Sequence, residues 1–388
     1  MSALQSCSAL DSCSTSASEN VSPIVGRRVE LQLFTTLSCN LKCTYCSESA
    51  VVGSQGKVTY SPEALDTFIR THLSEHEVYV TFYGGEPTLN IEFMEQVMAR
   101  YPNYRYNLQT NGTLLHRVPD AMLAKLSNVL VSVDGGQKIT DGFRGKGVYM
   151  RVINRVDSIR SRLGGSLTAR VTWGSEDTTF EELDGLLASF DYVYWQFVQS
   201  ETAYSPEAVA KKRRVITQLV ERFFTGDTLY PFIPIMGIVR NKVLPSRAKE
   251  LYAGHSQCRA STHILNVLPN GSIFPCPDMT DEPAMQHGSV NDNWLKRSPL
   301  QPHANMPCTG CSAYAFCRGN CMKNLHVAYV EGNDDYRRNV VEPVCELVKF
   351  LGEEIDRHDP HAWYARASLA VRDAVANCEV YEYVEVMP

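Results

Sequence analysis

From residue 28 onward, short β-branched and aromatic runs alternate with longer segments in which apolar residues return every three or four positions. The first pattern marks strands and the second amphipathic helices. Strands are expected at 29–34, 78–82, 104–109, 129–133, 167–172 and 193–198. Ser61, followed by Pro62, and Asn90 are placed to cap helices, and 91–100, 148–163, 180–190 and 206–224 carry the helical period. Strands alternating with helices build a parallel sheet. Six βα units are too few for a closed eight-unit barrel, so the expected α/β fold is a partial (β/α)6 barrel or a doubly wound sheet. In both, ligands sit at the C-terminal ends of the strands.

Outside this region the pattern lapses. Residues 1–27 are Ser-rich, carry Cys7 and Cys13, and have no period, which reads as a flexible N-terminal segment. Pro231, Pro234, Gly237 and Pro245 interrupt 226–257, which reads as a linker. Residues 258–345 hold seven cysteines among short, turn-rich spacers, with too little apolar material to fold without metal. A C-terminal helix is expected over 347–377, with Leu347, Phe350, Leu351 and Ile355 on one face.

Composition narrows the class. With 44% hydrophobic and 21% charged residues this is an ordinary globular balance, and a net charge of −6 argues against nucleic-acid or anionic-membrane partners. No apolar run reaches the roughly twenty residues of a membrane span, and no signal peptide is evident at the N-terminus, so a reducing cytoplasm is expected. Thirteen cysteines there read as metal ligands or redox groups rather than disulfides. They fall near residue 40 and from 258 onward, with none between Cys46 and Cys258, so two structural units are expected.

Cys39-Asn40-Leu41-Lys42-Cys43-Thr44-Tyr45-Cys46 directly follows the first expected strand. Three thiolates so spaced suit three irons of a [4Fe–4S] cluster and leave one iron open to a small molecule. A structural zinc site would want a fourth ligand, and none is near in sequence. The spacing, with an aromatic before the third Cys, resembles the radical S-adenosylmethionine (SAM) superfamily. The resemblance implies that the methionyl group chelates the open iron, and that reductive cleavage gives a 5′-deoxyadenosyl radical which abstracts a substrate hydrogen. Tyr45 would pack beside the adenine.

Motifs at other strand ends agree with that resemblance. Tyr83-Gly84-Gly85-Glu86-Pro87 looks like the family's GGEP motif, which contacts the methionyl amine. Gln109-Thr110-Asn111-Gly112 follows the third strand. Ser132-Val133-Asp134-Gly135, with Asp141 and Arg144, follows the fourth, in a region that contacts ribose and carboxylate in related enzymes. Gln196-Phe197 resembles the strand lining the adenine. Implied cofactor contacts are therefore Tyr45, Gly84, Gly85, Glu86, Pro87, Asn111, Ser132, Asp134, Arg144 and Phe197.

The distal cysteines run Cys258, Gly271, Cys276, then Cys308-x2-Cys311-x5-Cys317-x3-Cys321, then Cys345. On spacing alone, Cys308, Cys311, Cys317 and Cys321 also suit a four-thiolate zinc site. The whole set resembles the SPASM extension of peptide and protein maturases, which holds two auxiliary [4Fe–4S] clusters, three clusters in all. The resemblance implies that Cys308, Cys311, Cys317 and Cys345 hold an outer cluster, and Cys258, Cys276 and Cys321 an inner one. The position of a fourth inner ligand in some members is near Tyr252; His255, Asp278, a spare Cys or the substrate are the alternatives here. The expected division is 1–27, a 28–225 radical SAM partial barrel, a 226–257 linker, a 258–350 SPASM domain and a 351–388 helical tail. Cys7, Cys13 and Cys378 read as free thiols.

The expected function is oxidative modification or crosslinking of a ribosomally made peptide, or of a protein residue. Formylglycine formation on a sulfatase, oxidation or epimerisation of a small molecule, and a non-catalytic zinc or iron–sulfur scaffold are the alternatives. Sulfatase maturases usually place an Asp directly after the second auxiliary Cys. Here Pro277 intervenes and the acid is Asp278, the candidate general base. An electron donor such as flavodoxin or ferredoxin is implied. Peptide recognition would use the barrel mouth, the 225–257 segment or a separate leader-peptide-binding protein.

Overall fold

All six expected strands form: β1 (Arg28–Thr36), β2 (Glu77–Gly84), β3 (Arg105–Thr110), β4 (Leu126–Ser132), β5 (Ser166–Trp173) and β6 (Tyr192–Phe197). They lie side by side in chain order, every pair parallel. The computed structural model describes residues 28–46, 56–198, 203–246, 258–260, 262–280, 282–296, 306–319 and 321–382. Cys7, Cys13, Tyr252 and His255 lie outside the described residues.

Helices α1 (Pro62–His72), α2 (Ile91–Arg100), α3 (Asp120–Leu123), α4 (Gln137–Arg144), α5 (Val148–Ile159), α6 (Phe180–Asp184) and α7 (Pro206–Thr225) follow the strands. Ser61 accepts from the Ala64 amide and Asn90 from that of Phe93, the expected caps, and Ser205 caps α7 in the same way. The helix expected to reach 163 stops at Ile159, and the one expected to reach 190 gives way at Gly185 to a 3-10 turn.

Strand alternation sorts the two faces of the sheet. Val29, Leu31, Leu33, Val80, Phe82, Leu108, Val129, Val131 and Val171 are buried in the core shared with the helices. The opposite, inner face carries a register row of polar residues: Asn266, Gln32, Thr81, Asn107, Asn128 and Ser166. The strand order ends at β6, so the barrel is partial and not closed.

Three expectations are corrected. The 226–257 segment, read as a linker, contains α8 (Ile233–Val243), buried from Ile233 to Asn241; Pro234 sits in its first turn, where a missing N–H is harmless. The cysteine-rich segment continues the barrel's own sheet. It opens with β7 (Ile264–Val267), which pairs parallel with the free edge of β1, and continues antiparallel through β8 (Ser272–Phe274), β9 (Gly288–Ser289) and β10 (Trp294–Leu295). Val267, Ile273 and Val290 join the main core, so the segment does have apolar anchorage. The single C-terminal helix is instead α9 (Glu342–Arg357), which crosses the expected 350/351 boundary, followed by Pro360–Arg366 and Leu369–Asn377. Leu347, Leu351 and Ile355 are buried as expected.

Phe316, between Cys311 and Cys317, wedges against α9 where Gly352 leaves room; a Cβ there would stand 2.3 Å from the ring. Lys242 of α8 lies 4.9 Å from the same ring centroid and pairs with Asp356 of α9 at 2.7 Å. The cysteine-rich turn is thus pinned between two helices. Among the described residues, no helix is long and apolar enough to cross a membrane.

Candidate functional site

Cys39, Cys43 and Cys46 lie in the loop after β1, each half-buried. Neighbouring strand ends knit this loop in place. The Gly85 amide donates to Thr36 O at 3.0 Å and the Glu86 amide to Ser38 O at 2.9 Å. Only glycine permits that approach: a Cβ on Gly84 would stand 2.2 Å from Thr36 O, and one on Gly85 2.4 Å from Ser38 O. Gly84 also has a φ of +127°. Pro87 contributes its carbonyl, which accepts from Thr35 Oγ1 at 3.1 Å.

Glu86 is fully buried and ties β2 to β3. Oε1 accepts from the Thr88 amide and hydroxyl and from Thr110 Oγ1, and Oε2 accepts from the Asn111 amide at 2.7 Å. Burial pushes its carboxyl upward, and these donors pull it back. Asn111 then reaches the cysteine loop: Nδ2 donates to Asn40 Oδ1 at 2.8 Å and approaches Cys39 Sγ at 3.8 Å. Asn40 in turn donates to Thr113 Oγ1 at 2.9 Å. The sequence reading missed Asn40 and Thr113, although Asn40 stands inside the cysteine motif.

Tyr45 is held by a buried polar centre. Its hydroxyl donates to Asp134 at 2.8 and 2.9 Å; Arg144 donates from Nε and Nη2 to the same carboxylate at 2.8 and 2.9 Å; the Thr172 amide adds a fourth donor at 3.2 Å. Asp134 has no exposed surface and Arg144 is 7% exposed. Burial works against the Arg144 charge, but Asp134 holds its pKa above the usual value. The Tyr45 hydroxyl is pushed well up, first by burial and then by Asp134. Phe143, also missed, packs its ring tilted at 5.2 Å from that of Tyr45 and accepts the Thr44 amide through its carbonyl at 3.0 Å. Asp134 and Arg144, expected at ribose and carboxylate, therefore act on Tyr45 in this structure.

Ser132 is half-buried at the end of β4, in register with Arg170 of β5. Phe197 is buried 5.4 Å from Trp173 in the helix-side core. Alternation gives the inner face to Gln196, which accepts from Arg170 Nη2 at 2.7 Å.

The distal thiols form two neighbourhoods. Burial pushes Cys276 well up, and Asp278, Cys321 and Cys258 add to it. Burial also pushes Cys345 up, to about 11, with Cys308 and Cys311 contributing. Cys311 and Cys317 pack on the main core. Asp278 sits in the turn Pro277–Met279 beside Cys276, to whose sulfur its amide donates. Cys378 is buried and takes a hydrogen bond from Tyr192.

The donor set near residue 40 fits an iron–sulfur cluster. Cys39 and Cys43 are raised first by burial, and each feels Cys46, so the three thiols share one locality. The Leu41 amide donates to Cys39 Sγ at 3.4 Å, the kind of bond that tunes a cluster. Among the described residues no three His, Cys, Asp or Glu side chains converge as ligands of a single metal ion would. Thiolates that share a cluster bind different irons and need not converge.

A family profile described as the Radical SAM superfamily matches residues 33–189. A mycofactocin maturase of Mycobacterium ulcerans is 23% identical over 320 residues, 74% of this chain and 81% of its own. A cysteine-type anaerobic sulfatase-maturating enzyme of Clostridium novyi is 23% identical over 344 residues, 77% of this chain and 88% of its own. Among solved structures, native anSMEcpe with bound AdoMet superposes with a TM-score of 0.62 at 19% identity, covering 90% of this chain and 99% of that one. Streptococcus suis SuiB bound to the precursor peptide SuiA gives 0.54 at 17% identity, covering 77% and 73%. These two likenesses show the shared fold.

Proposed function

We propose, from the premise that this chain carries a radical SAM domain, that it is an enzyme that abstracts hydrogen from a residue of a ribosomally made peptide. The cysteine loop, locked to three neighbouring strand ends, is the observation that carries this reading. Bound there by Cys39, Cys43 and Cys46, a [4Fe–4S] cluster with SAM supplies the 5′-deoxyadenosyl radical. The chain's own residues do the placing. The amides of Gly85 and Glu86 fix the loop, Asn111 and Asn40 set its height over β3, and Asp134 with Arg144 orients Tyr45.

Residues 28–225 are read as the radical SAM unit and 258–350 as an auxiliary unit. Two further clusters are assigned there, Cys258, Cys276 and Cys321 for the inner and Cys308, Cys311, Cys317 and Cys345 for the outer. Similarity to a mycofactocin maturase along most of both chains supports a peptide target. Asp278, beside the inner thiols, is the candidate for accepting a proton from the oxidised substrate. An external electron donor of the flavodoxin or ferredoxin class is expected.

The test is the mass of a short peptide encoded beside the gene, after anaerobic co-expression. A loss of two hydrogens supports crosslinking or another oxidation, and deuterium uptake from heavy water at unchanged mass indicates epimerisation. An unmodified peptide beside a sulfatase that gains formylglycine would favour the second reading, which the clostridial relative supports. Reconstituted protein holding fewer than about ten irons would refute three clusters.

A further inference from the structure

Lys212 of α7 is a cation the site chemistry leaves unused, and it is only 1% exposed. Its Nζ donates to Ser175 O at 2.9 Å and Trp173 O at 3.3 Å, and stands 5.0 Å from the Trp173 ring centroid. Tyr204, which precedes α7, presents its ring at 6.0 Å. The carboxylate that acts on it, Glu176 of the loop after β5, is itself paired with Lys211 at 3.5 Å. Burying an ammonium is costly, and an apolar side chain of the same length would fill the space without that cost. Burial accordingly lowers the amine to about 7.

The two carbonyls it grips explain the cation. Both lie where β5 ends, and Trp173 O also accepts the Val198 amide from the end of β6 at 3.4 Å. One residue earlier, the Thr172 amide donates to Asp134, whose carboxylate holds Tyr45. A short chain of hydrogen bonds thus runs from behind the sheet to the cysteine loop.

We propose that Lys212 is a positioning residue: by tying down the exits of β5 and β6, it fixes the Thr172 amide on Asp134 and so sets Tyr45 between Cys43 and Cys46. Its effect on turnover rests on the radical reading above; its effect on the loop does not.

The test uses the full chain with Lys212→Met and Lys212→Arg. In the apoprotein, hydrogen exchange followed by mass spectrometry should speed up by about tenfold in Lys212→Met, at 172–175 and also at 43–46. Lys212→Arg, which keeps the donors, should restore protection. In reconstituted enzyme, Lys212→Met should form 5′-deoxyadenosine about tenfold more slowly at equal iron content. Unchanged exchange at 43–46 in Lys212→Met overturns the proposal. If that variant does not fold, wild-type exchange is compared at about pH 6 and about pH 8.5, across the titration of the amine and corrected for the intrinsic rate. Among the described residues, Glu176, Tyr204 and Lys211 are the other titratable groups around it. Linked changes at 172–175 and 43–46 support the proposal, and a change at 172–175 alone overturns it. Wild-type enzyme that forms no 5′-deoxyadenosine would sink the proposed function, while the exchange result still judges Lys212.

Discussion

Asp134 shows how a motif can be recognised while its protein partners stay hidden. Its strand-end position was evident from the sequence, but its four donors come from residues 45, 144 and 172, and only folding brings those together. Replacing it by Asn strands the Arg144 charge in a buried setting, at a cost of about 3–5 kcal/mol. Denaturant titration of the apoprotein should show that loss, and adding Arg144→Met should recover much of it. Lys212 makes a second prediction. Its folded pKa, about 7, lies below the unfolded 10.5, so above pH 7 the unfolded chain binds the extra proton. Stability relative to Lys212→Met should therefore rise between about pH 7 and 9, by at most about 1.4 kcal/mol per unit, and level off below 7. A flat difference would mean that the amine stays charged. Phe197 lies on the helix side for a simple reason: Trp195 and Phe197 alternate with Gln196, and apolar residues of a half-buried strand belong under the helices.

Among the elements, the six parallel strands were legible because β-branched runs between capped helices have few other solutions. The buried α8 was not, because Pro234 and Gly237 look like breakers until the helix start is known. The contact between Phe316 and Gly352 was equally silent, since the partners are far apart in sequence. It predicts that Gly352→Ala drives a methyl group into the Phe316 ring and loosens the turn carrying Cys311 and Cys317. Proteolysis should then cut the 311–317 turn faster than in wild type, while cutting around β1–β6 is unchanged. Adding Phe316→Leu should reverse the effect, because the smaller side chain vacates the crowded volume.

Across the molecule, the surprise is continuity. The cysteine spacing suggested two units, but Glu30–Leu33 of β1 and Ile264–Val267 of β7 share one ladder. Such pairing leaves no mark in either segment alone, since a strand's second neighbour depends on where the rest of the chain goes. A chain ending at residue 246 should therefore expose an apolar strand edge and run as aggregate in size-exclusion chromatography. A soluble monomer would show that the barrel is complete without β7. The same ladder imposes an order on biosynthesis. β1 leaves the ribosome before β2–β10, yet its second edge stays open until residue 264 has been made. Until then the strand that leads into Cys39 offers one open edge, so its protection is a matter for chaperones and for the pace of synthesis.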